Sequence, residues 1–201
     1  MGRVPTRWPG FHNNGRMKAL VSPADALVAG VLATDAPGAA PPGFSAPEFR
    51  AALGMFATGV TIVTTRLEDG TPLGMTVNSF NSVSLNPPLV LWSLSRNASA
   101  LAAFHGCSHY AVNVLGVAQQ ALAERFASRV QDRWVGVDST PGAGGAPLMA
   151  GAVATFECVN RSRYEEGDHV IFVGEVLRCT HQADAAPLLF HGGRFYTEHP
   201  L

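Results

Sequence analysis

From Gly59 onward the chain is built of short strand-like runs, several of them joined by turns too brief to hold a crossover helix. GVTIVTTRL (59–67) is rich in β-branched residues, and Glu68-Asp69-Gly70-Thr71 follows it as a hairpin turn. Parallel neighbours need a connection of about a dozen residues, so a turn this short makes the return strand antiparallel. That return strand leads into GMTVNSFNSVSLNPPLVLW (74–92). Further strands are expected over PLVLWSLS (88–95), HYAVNVLG (109–116), 148–161, 168–180 and 187–196. SALAAFH (99–105) and VAQQALAERFAS (117–128) read as helices. The expected fold is mainly β with flanking helices, an antiparallel barrel and not a doubly wound sheet. Trp92 and Tyr110 fall in strands and are expected in the core. Trp134 lies in a loop, where it could cover a ligand or an interface.

The barrel has a clear beginning. Ser45-Ala46-Pro47-Glu48 is a capping box with proline in the first turn, and Phe49, Ala52, Leu53 and Phe56 recur behind it at helical spacing. Residues 44–201 are therefore read as one domain. Residues 1–43 are rich in Ala, Pro and Gly and show no sustained period. ALVAGVLA (26–33) has the length of a signal-peptide core, but Pro23 and Asp25 crowd its start and no clear cleavage site follows. The stretch is read as a mobile or loosely docked extension.

Charge excludes several functions. Charged residues make up 14% of the 201, against roughly 25% in an ordinary soluble domain, which points to surface covered by subunit association. A net charge of −1 supplies no basic footprint for nucleic acid. No apolar run reaches the roughly 18 residues of a membrane helix. Cys107, Cys158 and Cys179 form no CxxC pair, which fits reduced thiols in the cytoplasm. His105-Gly-Cys-Ser-His109 matches no common zinc spacing, and no metal is expected. The chain lacks GxGxxG opening a helix after a strand, GxxxxGK[ST] and GxSxG. PGAGGAP (141–147) needs no ligand to explain its glycines.

The stretch from Thr76 to Asn86 is polar without charge. Thr76, Asn78, Ser79, Ser82 and Ser84 offer hydroxyls and amides with little bulk, so a flat, polar-edged ring can approach the main chain. Ser93-Leu94-Ser95-Arg96-Asn97-Ala98-Ser99 adds three hydroxyls and a guanidinium, with Ser99 placed as N-cap of the next helix. That combination suits phosphate. A ring at one end and phosphate at the other describe a flavin mononucleotide. A series of Ser/Asn-rich turns leading to a capped helix accounts for the same residues, and composition does not choose between them.

GVTIVTT (59–65), GMTVNSFNSVSLNPPLV (74–90), SRNAS (95–99), YAVNVL (110–115), GDHVIFVGEV (167–176) and PLLFHGGRFY (187–196) occur in this order. Together they resemble the short-chain flavin reductase family, the reductase components of two-component flavin-dependent monooxygenases. The likeness covers roughly residues 44–198. It implies an FMN-binding split β-barrel, usually a homodimer with flavin near the subunit interface. It further implies reduction of FMN or FAD by NADH or NADPH, the reduced flavin then diffusing to a separate oxygenase. Carried over by position, flavin contacts fall on Thr76, Val77, Asn78, Ser79, Ser93, Leu94, Ser95, Arg96 and Ser99. Phe126 and Ala127 at the end of the second helix, and the aromatic Tyr196, join them. The Gly-Asp-His triplet is Gly167-Asp168-His169, with His169 as nicotinamide contact and Asp168 able to fix its tautomer or simply to make a turn.

Hydride transfer places no demand for a side-chain acid or base, so positioning and electrostatics are the protein's share. The alternatives are an FMN oxidase of the same barrel, similar to pyridoxamine-phosphate oxidase, a flavin carrier or sensor without turnover, and a protein-interaction module. His181 and His199 are expected at the surface.

Overall fold

The computed structural model describes residues 43–198. The extension reading for residues 1–43 lies outside them except for Gly43, as does His199. Helix α1 (Ala46–Gly54) opens on the expected box: Glu48 N donates to Ser45 Oγ, and Ser45 N donates to Glu48 Oε2 at 2.7 Å. Strands β1 (Thr58–Gly59), β2 (Thr61–Arg66), β3 (Pro72–Val77), β4 (Asn81–Leu85) and β5 (Pro88–Ser95) follow. Helix α2 (Leu101–Gly106) leads to β6 (His109–Val114), and a 3-10 turn (Val117–Gln119) leads to α3 (Gln120–Ala127). The rest is β7 (Ser139–Pro141), β8 (Pro147–Met149), β9 (Ala154–Glu166), β10 (His169–His181), β11 (Leu189–His191) and β12 (Arg194–Tyr196).

Seven strands pair antiparallel in the order β3-β2-β6-β9-β10-β5-β4. The two edge strands of that order, β3 and β4, are consecutive in the chain and joined by residues 78–80 alone. Extended chain covers about 3.5 Å per residue, so the two edges come within roughly 14 Å of each other. The sheet therefore curls into a barrel with one open seam, and residues 78–80 cross it. This is the antiparallel split barrel expected from turn lengths and resemblance.

The structure corrects several boundaries. The run 59–67 is not one strand. Val60 is fully buried, donates to Leu188 O and accepts from Leu115 N, and divides β1 from β2. β1 pairs with β11 in a small second sheet, β1-β11-β12, whereas β2 belongs to the barrel. The run 148–161 is likewise divided into β8 and β9 by a turn with Gly151 at φ 77°. The run 187–196 is a hairpin bent at Gly192 and Gly193, both at positive φ. Ser99 is not the N-cap of α2. Turns Ala98 N→Ser95 O and Leu101 N→Ala98 O bring the chain into the helix, and Ala100 holds the cap position without a side-chain bond.

Two cores flank β2. Val63 joins the barrel interior with Val77, Trp92, Leu94, Tyr110 and Phe172, whereas Ile62 joins Val60, Leu115, Phe126, Leu188 and Phe190 outside it. Burial on both faces explains why the strand has no apolar–polar alternation. Its threonines are satisfied: Thr61 Oγ1 donates to Val77 O, Thr64 Oγ1 to Pro147 O and Thr65 Oγ1 to His109 O. Trp92 fills the barrel centre as expected, stacked on Phe172 at 4.6 Å with Phe104 and Tyr110 edge-on.

Candidate functional site at the barrel seam

Most of the predicted site residues gather where residues 78–80 cross the seam. Thr76, near the end of β3, is buried, and its hydroxyl donates to Ala123 O of α3 at 2.7 Å. Val77 points into the barrel core, and its carbonyl accepts from Thr61. Asn78 and Ser79 are half-buried. Among the described residues their main-chain N–H groups have no acceptor. The Ser79 hydroxyl donates to Ser93 O at 3.1 Å and accepts from Ser93 N at 3.0 Å. The Thr76 and Ser79 hydroxyls are therefore turned into the protein, and the main-chain N–H groups of residues 78 and 79 are the donors left over among the described residues.

Across the seam, β5 alternates Ser93 and Ser95 with the core residue Leu94. Its end is joined by a segment remote in sequence. His169, the first residue of β10, pairs with Ser95, and Arg96 N donates to Asp168 O at 2.8 Å. Gly167 and Asp168 form a two-residue hairpin loop between β9 and β10, with Gly167 at φ 58°. Asp168 is thus a turn residue. Its carboxylate also stands 2.8 Å from His169 Nδ1. An acceptor there makes Nδ1 the protonated nitrogen and leaves Nε2 for a second partner.

Arg96 meets Glu165 at 3.5 Å, with both side chains more than half exposed. Such a pair contributes about 0–1 kcal/mol, so the guanidinium can turn to an anion at little cost. No local sequence signal marks Glu165. It stands opposite Val170 across the β9–β10 hairpin, and only the strand register brings it beside Arg96. Ser99 is exposed, and the Ser95 hydroxyl accepts from Asn97 N.

Phe126, Ala127 and Tyr196 are placed by other elements. Phe126 is buried in the outer core, edge-on to Trp134 at 5.1 Å. Gly74 makes room for that ring: a Cβ there would stand 2.7 Å from Phe126 Cε1. Half-buried Ala127 closes α3 beside it. Tyr196 belongs to the small sheet, 46% exposed, with its ring 6.1 Å from His191.

Elsewhere, the glycine loop is packed and not open. Ala143 N donates to Glu157 Oε2 at 2.6 Å, and a Cβ on Gly144 would fall 2.6 Å from His109 Cβ. Asp138, Leu148, Gly151, Thr155, Thr180 and Gln182 line a depression of about 400 Å³ beside β7 and β8. It includes none of the predicted site residues. Among the described residues no three His, Cys, Asp or Glu side chains converge on a metal position.

The donor set at the seam is neutral main chain at residues 78–79, followed by hydroxyls and one movable guanidinium at 93–99 and an imidazole oriented by a carboxylate. It suits a polar-edged planar ring continuing into an anionic tail.

A family model described as Flavin reductase like domain matches residues 53–199. An FMN reductase (NADH) of Agrobacterium fabrum is 46% identical over 155 residues, spanning 77% of this chain and 87% of that protein. The reductase subunit of a flavin-dependent monooxygenase of Rhodococcus jostii is 39% identical over 147 residues, 73% of this chain and 75% of that one. The solved structure of the Streptomyces globisporus NADH:FAD oxidoreductase with NAD and FAD fragments superposes with a TM-score of 0.73 at 43% identity, covering 77% of this chain and 93% of that chain.

Proposed function

This chain belongs to the flavin reductase-like domain family, and from that premise we propose that it reduces FMN or FAD with NADH or NADPH and passes the reduced flavin to a separate monooxygenase component. The observation that carries the reading is the seam itself: N–H groups at Asn78 and Ser79 without an acceptor among the described residues lie on one side, and Ser93, Ser95, Arg96, Asp168 and His169 on the other. These residues fit a flavin. When bound, the flavin ring accepts the hydride that the nicotinamide donates.

The main chain of residues 76–79 holds the polar edge of the ring and stabilises the negative charge that reduction places there. Arg96, with Ser93, Ser95 and Ser99, holds the ribityl chain and phosphate. Asp168 fixes the His169 ring, and His169 Nε2 holds the nicotinamide amide. Near Phe126 the ligand meets Ala127 and main chain, because the aromatic ring is enclosed. No side chain is assigned as acid or base.

The protein acts as a homodimer in the cytoplasm. Support for the dimer is the apolar surface at the C-terminal end of α1, where Leu53 and, just past the helix, Met55 and Phe56 stay 44, 70 and 72% exposed. Support for the compartment is three free cysteines. No helix among the described residues is long and apolar enough to cross a membrane.

Anaerobic mixing with NADH or NADPH and excess FMN or FAD tests the reading. Catalytic bleaching of the flavin absorption is expected. Bleaching of a single bound equivalent would indicate an oxidase-like prosthetic flavin, and none at all would leave a carrier.

A further inference from the structure

Two residues beyond the Asn81–Leu91 pair, the β4–β5 register sets Ser79 directly opposite Ser93. At such a position both main-chain groups of Ser93 would ordinarily bond the main chain of residue 79. They bond its side chain instead: Ser93 N donates to Ser79 Oγ at 3.0 Å, and Ser79 Oγ donates to Ser93 O at 3.1 Å. One hydroxyl thus carries the ladder past the end of β4. A serine hydroxyl has a single proton to donate, and here Ser93 O takes it. The Ser79 N–H, displaced from the ladder, keeps no acceptor among the described residues. The other flank of the crossing is pinned in the same way by the Thr76 hydroxyl on Ala123 O.

We propose that Ser79 is a positioning residue whose hydroxyl fastens the 78–80 crossing to β5 and so presents its main chain to flavin, without bonding the flavin itself. The proposal rests on the flavin-binding reading of the seam and assigns the side chain a different partner from the one carried over by position.

The test compares wild type, Ser79→Ala and Ser79→Thr in three measurements. These are amide exchange at Ser93 in flavin-free protein, the FMN and FAD Kd from flavin fluorescence quenching, and the thermal midpoint. Ser79→Ala is expected to speed Ser93 exchange about tenfold and weaken flavin binding about tenfold, the size of one lost hydrogen bond. Ser79→Thr should restore exchange and affinity together. Weakened binding with wild-type exchange at Ser93 would mean that the hydroxyl touches flavin directly, and would overturn the proposal. Fast exchange with unchanged Kd would overturn it from the other side. A fall in affinity that only tracks the thermal midpoint across the three proteins would reduce Ser79 to a general stabiliser. Failure of the wild type to bind either flavin would sink the seam reading itself, a result separate from all of these.

Discussion

His169 stands where one side chain reads out the assignment of the site. Replacing it by alanine removes Nε2 and leaves the Ser79–Ser93 contact untouched. His169→Ala should raise the KM for NADH or NADPH about tenfold, with flavin Kd within about twofold. Steady-state kinetics in each substrate checks this, and lost flavin affinity at constant nicotinamide KM would refute the nicotinamide role. Gly174 gives a stability test in the core. A methyl added there would overlap the Tyr110 hydroxyl and stand 2.9 Å from Cys158 Cβ. Gly174→Ala should cost about 1–3 kcal/mol in urea unfolding. Adding Tyr110→Phe removes the nearest atom and should recover part of that loss.

Strands are tied together by polar side chains as well as by ladders, and Glu157 of β9 is the more enclosed charged example, beside the exposed Arg161–Glu175 pair. It is 9% exposed at its side chain and accepts from Arg178 of β10 through both oxygens, at 3.0 and 2.7 Å. It also accepts from Ala143 N in the glycine loop. The Arg178 hydrogen bonds, helped by the Ala143 amide, hold its carboxyl below the ordinary value of 4.5 although burial opposes them. A lowered native value means that the ionised form stabilises the fold above pH 4.5, and that this contribution fades as pH falls through the native value. Glu157→Gln should therefore cost about 1 kcal/mol at pH 7, an amount kept small by the exposure of the arginine. Urea midpoints of variant and wild type should converge as the pH drops below that range. A constant difference across pH would place the effect in packing.

For the molecule as a whole, the apolar surface at the end of α1 lacks a cover among the described residues. The helix is held to the rest of the chain at its C-terminal end, where Gly192 N donates to Gly54 O. Leu53, Met55 and Phe56 remain outside at that same end. In the proposed dimer this surface lies between subunits. Sedimentation of the wild type should give twice the chain mass, and Phe56→Asp should shift it toward monomer. A wild type that sediments as a monomer at micromolar concentration would refute the dimer.

Turn lengths, β-branched runs and the capping box lie within a few residues of chain, so the antiparallel barrel, the start of α1 and the strand placement of Trp92 and Tyr110 are legible without the fold. The sequence also holds the order of motifs that marks the family. Boundaries such as Val60 and Ser99 were not legible, because bonds to Leu188, Leu115 and the 95–98 turn decide them. Strand register is a long-range outcome of packing, and only the folded barrel set His169 beside Ser95 and Glu165 beside Arg96. The direction of a side chain is equally a tertiary matter. Phe126 lies where a ligand contact was expected, and the outer core encloses it because Gly74 leaves space for its ring. The sequence marks Ser79 as a polar residue at the site, but closure of the sheet turns its hydroxyl toward Ser93 and leaves its main-chain N–H without an acceptor among the described residues.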